Sequence, residues 1–219
     1  MVCFPVRRVV VLFLLLAVAL SPAFGCRALT TTVAYFLWGT DVEPDFKDLK
    51  DKTVAVVCRP LVSLQYRNAN VGKDLAQKIS LLLEKNLKKK IKLVDQRKVA
   101  KWTDENTWEE YSEVGKAMKA DMVVGVDLET FSLYQGQTLY QGKANATVRV
   151  YDCKKGGKVV YEKTLPQSVY PPNSAVATSE RTEPEFRAEF VAVLANQIAR
   201  HFYSHDAFDD VGQDAAALR

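Results

Sequence analysis

From Thr53 onward the hydrophobic positions follow two periods, and the change from one to the other divides the chain. Thr53 to Cys58, TVAVVC, is a continuous β-branched run, the mark of a strand covered on both faces. Leu75, Ile79, Leu82, Leu83 and Leu87 then recur at helical spacing. Lys73, Lys78, Lys85, Lys88 and Lys89 lie mostly on the other side, so the spacing predicts a helix from Gly72 to Lys89. IKLV at Ile91 to Val94 follows a short connection and makes the second strand of a parallel βαβ unit. Asp95 to Trp102 reads as a helical turn, and Thr107 to Lys119, with Trp108, Tyr111, Val114, Gly115 and Met118, as a second helix.

From Asp121 the period becomes two. Met122, Val124, Val126 and Leu128 alternate with Asp127 and Glu129. After a turn at Gln135-Gly136-Gln137, Tyr140, Ala144, Ala146, Val148 and Val150 alternate with Lys143, Asn145, Thr147 and Arg149. One face is apolar and the other wet, as in an antiparallel sheet with helices on a single side. Lys154-Lys155-Gly156-Gly157 supplies a hairpin turn, and Lys158 to Leu165 the closing strand. Pro166 to Arg181 has no period and reads as a surface loop. Thr182-Glu183-Pro184-Glu185 is a capping-box start, followed by an apolar helical stripe of Phe186, Phe190, Val193, Leu194, Ile198 and Phe202. The expected fold is α+β: a mixed sheet with a parallel βαβ start and an antiparallel three-strand meander, its helices mainly on one face. One domain spans residues 53–203, and 204–219 is a small, acidic tail expected to be disordered.

The start of the chain changes where this domain must work. Arg7 and Arg8 precede an unbroken apolar run from Val9 to Leu20, and Ser21-Pro22-Ala23-Phe24-Gly25 adds a helix breaker and small residues. That is the layout of an export signal over residues 1–25. The run is shorter than the roughly 20 residues a spanning helix needs. Ala23-Phe24-Gly25-Cys26 resembles the lipobox of bacterial lipoproteins, which implies that Cys26 carries lipid and a membrane anchor; the alternative is plain secretion with cleavage at the same place. Residues 26–52 read as a tether and lead-in segment. Its Tyr35, Phe36 and Trp38 suit either a headgroup layer or an extra strand packed on the domain.

Charge removes one class of partner. Without residues 1–25 the formal charge falls from +4, by the two charges of Arg7 and Arg8, to +2, which offers no electrostatic footprint for nucleic acid. The run Lys88-Lys89-Lys90 reads as a solvated helix end. Cys58 and Cys153 are an even pair in an oxidising compartment, either a disulfide or two small core residues.

Candidate chemistry is sparse. The chain has no Walker loop, GxGxxG, HExxH, GxSxG or CxxC pattern, so no enzyme activity and no cofactor are expected. His201 and His205, with Asp206 or Asp209 nearby, have the spacing of a metal pair but lack a fixed third ligand, and no metal site is assigned. The polar sheet face, with Asp127, Glu129, Lys143, Asn145, Thr147 and Arg149, offers mixed charge to a partner; a solvated face with cross-strand pairs is the plainer alternative. Arg59, Tyr66, Arg67 and Asn68 belong to a loop at the carboxyl end of the first strand, where open α/β sheets bind ligands. Asn145-Ala146-Thr147 is a glycosylation sequon in mid-strand.

The runs VAVV (Val54 to Val57), GKDLAQKISLLLEKNL (Gly72 to Leu87), KLVD (Lys92 to Asp95), EVGKAMKADMVVGVDLETFSL (Glu113 to Leu133) and ANATVRVYD (Ala144 to Asp152) together resemble a family of bacterial envelope domains. Its members include the N-terminal domain of TolB, the curli secretion lipoprotein CsgG and the penicillin-binding-protein activator LpoB. The resemblance implies a helix-backed mixed sheet and a non-catalytic role in envelope assembly or enzyme activation. The expected protein is thus exported, lipid-anchored and non-catalytic. Its partner would be an envelope protein or cell-wall component, with room for an oligomer. A secreted small-ligand receptor or hydrolase, with a site assembled from scattered residues, is the competing expectation.

Overall fold

The structure is a computed structural model that describes residues 41–60, 70–88 and 90–207. Strand β1 (Asp41–Val42) is followed by β2 (Thr53–Pro60), helix α1 (Val71–Leu87), β3 (Lys92–Leu93), α2 (Gln96–Glu105) and α3 (Tyr111–Ala117). Then come β4 (Met122–Gln135), β5 (Leu139–Asp152), β6 (Lys158–Thr164), β7 (Ser168–Tyr170), β8 (Val176–Ala177), α4 (Glu183–Ala199) and β9 (His205–Asp206).

The main sheet has the order β3-β2-β4-β5-β6. β2 runs parallel to β3 and β4, while β4, β5 and β6 form the antiparallel meander. This is the mixed α+β sheet that the two hydrophobic periods predict. The outer edge of β5 is covered in three pieces: Thr147 to Asp152 by β6, Gly142 to Ala144 by β7, and Leu139 and Tyr140 by β8. The stretch from Pro166 to Arg181 is therefore no plain loop. Its strands are two and three residues long, too short to show a period.

Each face of the sheet has its own core. On the first, α1 and α4 cover Val54, Val56, Val124, Val126, Val148 and Val150, with Phe186, Phe190 and Phe202 among the larger buried side chains. Gly142 is required there, because a Cβ at that position would stand 2.5 Å from the Phe190 ring. On the second face α2 and α3 close a smaller core of Ala55, Val57, Val99, Tyr111, Val114 and Val123. α2 is a ten-residue helix where the sequence suggests a turn. Only Val99 in it is buried, so its apolar stripe is faint, and its start depends on Asp95 accepting the Arg97 N–H at 2.9 Å. α3 starts later than expected, at a capping box between Glu110 and Glu113.

Two boundaries shift. Phe46 and Leu49 are 8% and 1% exposed, and the Phe46 N–H donates to the His201 carbonyl, so residues 41–52 belong to the domain. At the other end His205 and Asp206 pair with Val42 and Asp41, so order runs past residue 203. Residues 26–40, Cys26 included, lie outside the described residues, as do 208–219. Cys58 and Cys153 are both free. Cys58 packs on the first core and Cys153 on the second, which puts them on opposite faces of the sheet. The core-residue reading holds for both, and the disulfide reading is corrected.

Candidate functional site: the polar face around Asp127

The residues that meet on the second face are placed by strand register. Arg59, one residue before the end of β2, stands opposite Asp127 of β4, and Arg149 of β5 stands opposite Gly125, two residues from Asp127. Asp127 Oδ1 accepts from Arg59 Nε at 3.2 Å, Arg59 Nη2 at 3.1 Å and the Tyr111 hydroxyl at 2.8 Å. Its Oδ2 accepts from Arg149 Nη1 at 2.5 Å. Arg149 also donates to Glu162 Oε1, from Nε at 3.0 Å and Nη2 at 2.8 Å. Arg59 Nη1 donates to the Glu109 carbonyl at 2.8 Å, and its guanidinium lies over the rings of Trp108 and Tyr111, 5.6 and 5.0 Å from their centroids. Tyr111 in turn stacks on Tyr151, centroids 5.0 Å apart.

The chemistry of this chain is closure. Asp127 takes four donors, three on Oδ1 and one on Oδ2, so Arg59, Tyr111 and Arg149 all hold it. Burial, and then the charge of Asp127, raise the Tyr111 pKa far above its ordinary value, so the hydroxyl stays a neutral donor. Burial followed by Asp127 likewise raises the Cys58 pKa and keeps it a thiol. The hydrogen bond to Glu162 holds Arg149 charged. The cluster thus forms a fixed ion-pair chain across four strands, β2, β4, β5 and β6, with a helix adding Tyr111.

The other residues singled out from the sequence are on the same face but bonded separately. Glu129 Oε1 accepts from Thr147 Oγ1 at 2.8 Å, at a bulge between Leu128 and Thr130. Asn145 is tied by its N–H to Thr130 Oγ1 at 3.0 Å, and its Oδ1 is buried without a hydrogen-bond partner. Lys143 stands opposite Ser132 and Val169. Arg67, Tyr66 and Asn68 lie outside the described residues. Sequence reasoning missed Tyr111 and Glu162. Glu162 was hidden because the Gly156-Gly157 hairpin alone would put Tyr161 opposite Arg149, and an irregularity between Val150 and Tyr151 moves the pairing on by one residue to Glu162; Tyr111 gave no signal beyond its helical spacing.

Two other places were candidates. A groove of about 590 Å³ between α1 and α2 is lined by Val57, Gln77, Ser80, Val94, Gln96 and Ala100. It exists because β3 pairs with β2 only at Thr53 and Val54. Past that point the Gln96 amide fills in for a strand, donating to the Val56 carbonyl at 3.1 Å and to Ser80 Oγ at 2.7 Å. The histidines do not converge: His201 Nδ1 is 2.9 Å from Asp45, and His205 Nδ1 3.3 Å from the Tyr203 carbonyl. Among the described residues no group of three or more His, Cys, Asp or Glu stands ready to hold a metal ion, and no helix is long and apolar enough to cross a membrane.

The fold and this face define a mixed α+β domain with a self-neutralising polar surface. No family model and no curated protein matches the chain. Among solved structures it is similar to the PelC dodecamer of Paraburkholderia phytofirmans, at 12% identity over 74% of this chain and 96% of that one, with a TM-score of 0.45. It is also similar to lipoprotein GNA1162 of Neisseria meningitidis, at 12% identity over 68% and 98% with a TM-score of 0.40. A third is the hypothetical protein CT253 of Chlamydia trachomatis, at 18% identity over 75% and 98% with a TM-score of 0.42. Lipoproteins of bacteria therefore recur among its structural neighbours, while the narrower resemblance to TolB, CsgG and LpoB is not shown by them. The likenesses are distant, and the functional reading rests on the chain's own residues.

Proposed function

We propose that the protein is an exported, lipid-anchored envelope module that binds another envelope protein or a cell-wall component and performs no reaction. The observation that carries the non-catalytic part is the ion-pair chain Arg59–Asp127–Arg149–Glu162. It spends the charged groups of the sheet face on one another and leaves a stiff, mixed-charge surface beside Lys143 and Glu129. Such a surface suits recognition by complementary charge better than proton transfer. The leader and Cys26 support export and the anchor.

Palmitate labelling tests the anchor: wild type should incorporate label and Cys26→Ser should not, and equal labelling ends that part. A photo-crosslinker placed at Lys143 or Glu129 in intact cells tests the binding face. One defined envelope component should be trapped there and not from a crosslinker at Lys101. The groove between α1 and α2 favours one rival, a small-ligand receptor. A saturable small-molecule thermal shift that Gln96→Ala abolishes, with no crosslink from the sheet face, would replace the first reading by that one.

A further inference from the structure

The end of the sheet where β2, β3 and β4 begin, β5 stops and β6 starts collects lysines from many separate elements. Lys52 precedes β2, Lys88 and Lys90 follow α1, Lys92 opens β3, Lys119 precedes β4 and Lys158 opens β6. Backbone hydrogen bonds gather several of these segments: the Asp51 N–H donates to the Lys90 carbonyl, the Lys92 N–H to the Lys52 carbonyl and the Asp121 N–H to the Thr53 carbonyl. All but Lys52 are exposed. The carboxylates at this end are already engaged or few. Asp121 is held by Lys154 at 2.7 Å and by the Thr53 N–H at 2.8 Å, and Asp152 by Lys155 at 3.3 Å. Asp48 and Asp51 remain. The six lysines named make no ion pair among the described residues. Other carboxylates, Glu109, Glu110 and Glu113, gather at the start of α3 beside Arg59, where Glu110 shares a small pocket with Gly157, the residue before Lys158. Val159 and Val160, exposed by 39% and 36%, adjoin Lys158 and add a small apolar rim.

We infer that this lysine end is a docking surface for an anionic lipid bilayer. Lysines are compact point charges on long stems, suited to the diffuse charge of headgroups, whereas ordered phosphate recognition favours the bidentate fork of arginine. They come from strand starts, a helix end and turns, so they cover an area and do not track a groove. The inference deepens the anchored reading above by saying which end of the domain faces the membrane, and it does not need the lipid itself.

The test is co-sedimentation of the exported chain carrying Cys26→Ser with vesicles of phosphatidylcholine alone or mixed with phosphatidylglycerol. Binding should require phosphatidylglycerol and fall steeply with salt. Each surface lysine is worth about fivefold in partitioning, so Lys88→Gln, Lys90→Gln, Lys92→Gln and Lys119→Gln together should lower it by roughly a hundredfold or more. Lys73→Gln with Lys101→Gln, away from this end, should leave it unchanged. A melting curve on each variant confirms that it is folded. Equal binding to both vesicles, an unaffected quadruple variant, or binding to duplex DNA or polyglutamate without binding to vesicles would each overturn the inference. Failure of palmitate labelling in the wild type would remove the anchor and leave this measurement standing.

Discussion

Two charged regions of one sheet behave in opposite ways. Around Asp127 the four charges Arg59, Asp127, Arg149 and Glu162 are paired with one another: the carboxylate is 19% exposed and Arg149 30%. At the lysine end the charges stand apart on long stems. The difference lies in how the backbone presents them. Arg59, Asp127, Arg149 and Glu162 are on neighbouring strands at positions fixed by register, so the side chains meet without search. The six lysines come from the ends of strands and helices, where the register sets no carboxylate opposite any but Lys158, whose cross-strand neighbour Asp152 is held by Lys155. Charges of the first kind hold the fold; charges of the second kind are left for something outside it.

Substitutions should separate the two. Asp127→Ala leaves two guanidinium groups and a buried hydroxyl facing each other, and should cost about 2 kcal/mol in urea unfolding, less than a fully buried pair because both arginines keep some water. Gly125→Ala puts a methyl 2.9 Å from the Tyr111 ring, and pushing that ring off Asp127 should cost about 1–2 kcal/mol. Tyr111→Phe removes one hydrogen bond to a charged acceptor and keeps the stack on Tyr151, for about 1 kcal/mol. The quadruple lysine variant should change stability by less than about 0.5 kcal/mol while losing its vesicle binding. A loss comparable to that of Asp127→Ala would mean that the lysines are structural, and the contrast would fail.

Acid offers a subtler probe. For Asp45, burial acts to raise the pKa, but His201 and Lys163 together lower it below the ordinary carboxylate range. For His201 the balance is reversed: burial lowers the pKa more than Asp45 raises it. Both folded values lie below the unfolded ones, so both groups contribute stability that is present at neutral pH and lost on acidification. His201 acts first, below about pH 6.5, and Asp45 below about pH 4. The urea midpoint should therefore fall from pH 7 to about pH 3, with a flatter limb in Asp45→Asn with His201→Gln; an unchanged limb would detach the lead-in segment from the acid response.

Much of the fold was legible because its elements are long and strongly periodic. The helix expected over Gly72 to Lys89 stands at Val71–Leu87, and the meander from Met122 and the capping box at Thr182 stand where the pattern puts them. What the pattern hid was short or weakly buried: α2 with one buried residue, β7 and β8 within a proline-rich stretch, and Phe46 and Leu49 in an otherwise polar segment. At the site, alternation placed Asp127, Thr147 and Arg149 on one face. It was silent about Tyr111, which reaches that face from a helix, and about which charges would be consumed there. The lysines were visible only as surface charge, since only the folded sheet brings the starts of β2, β3, β4 and β6 to one side.

The short ribbon of β1 and β9 gives the domain a mechanical character. Asp41 is paired with Asp206 and Val42 with His205, antiparallel, so the outer residues 41 and 206 sit side by side at the same end of the ribbon. Tension between the two ends would open that ribbon like a zipper, one pair after another, and would reach the Phe46 packing only after it had parted. A pulling experiment across residues 41 and 206 should accordingly register a small early release of length well before the sheet itself yields.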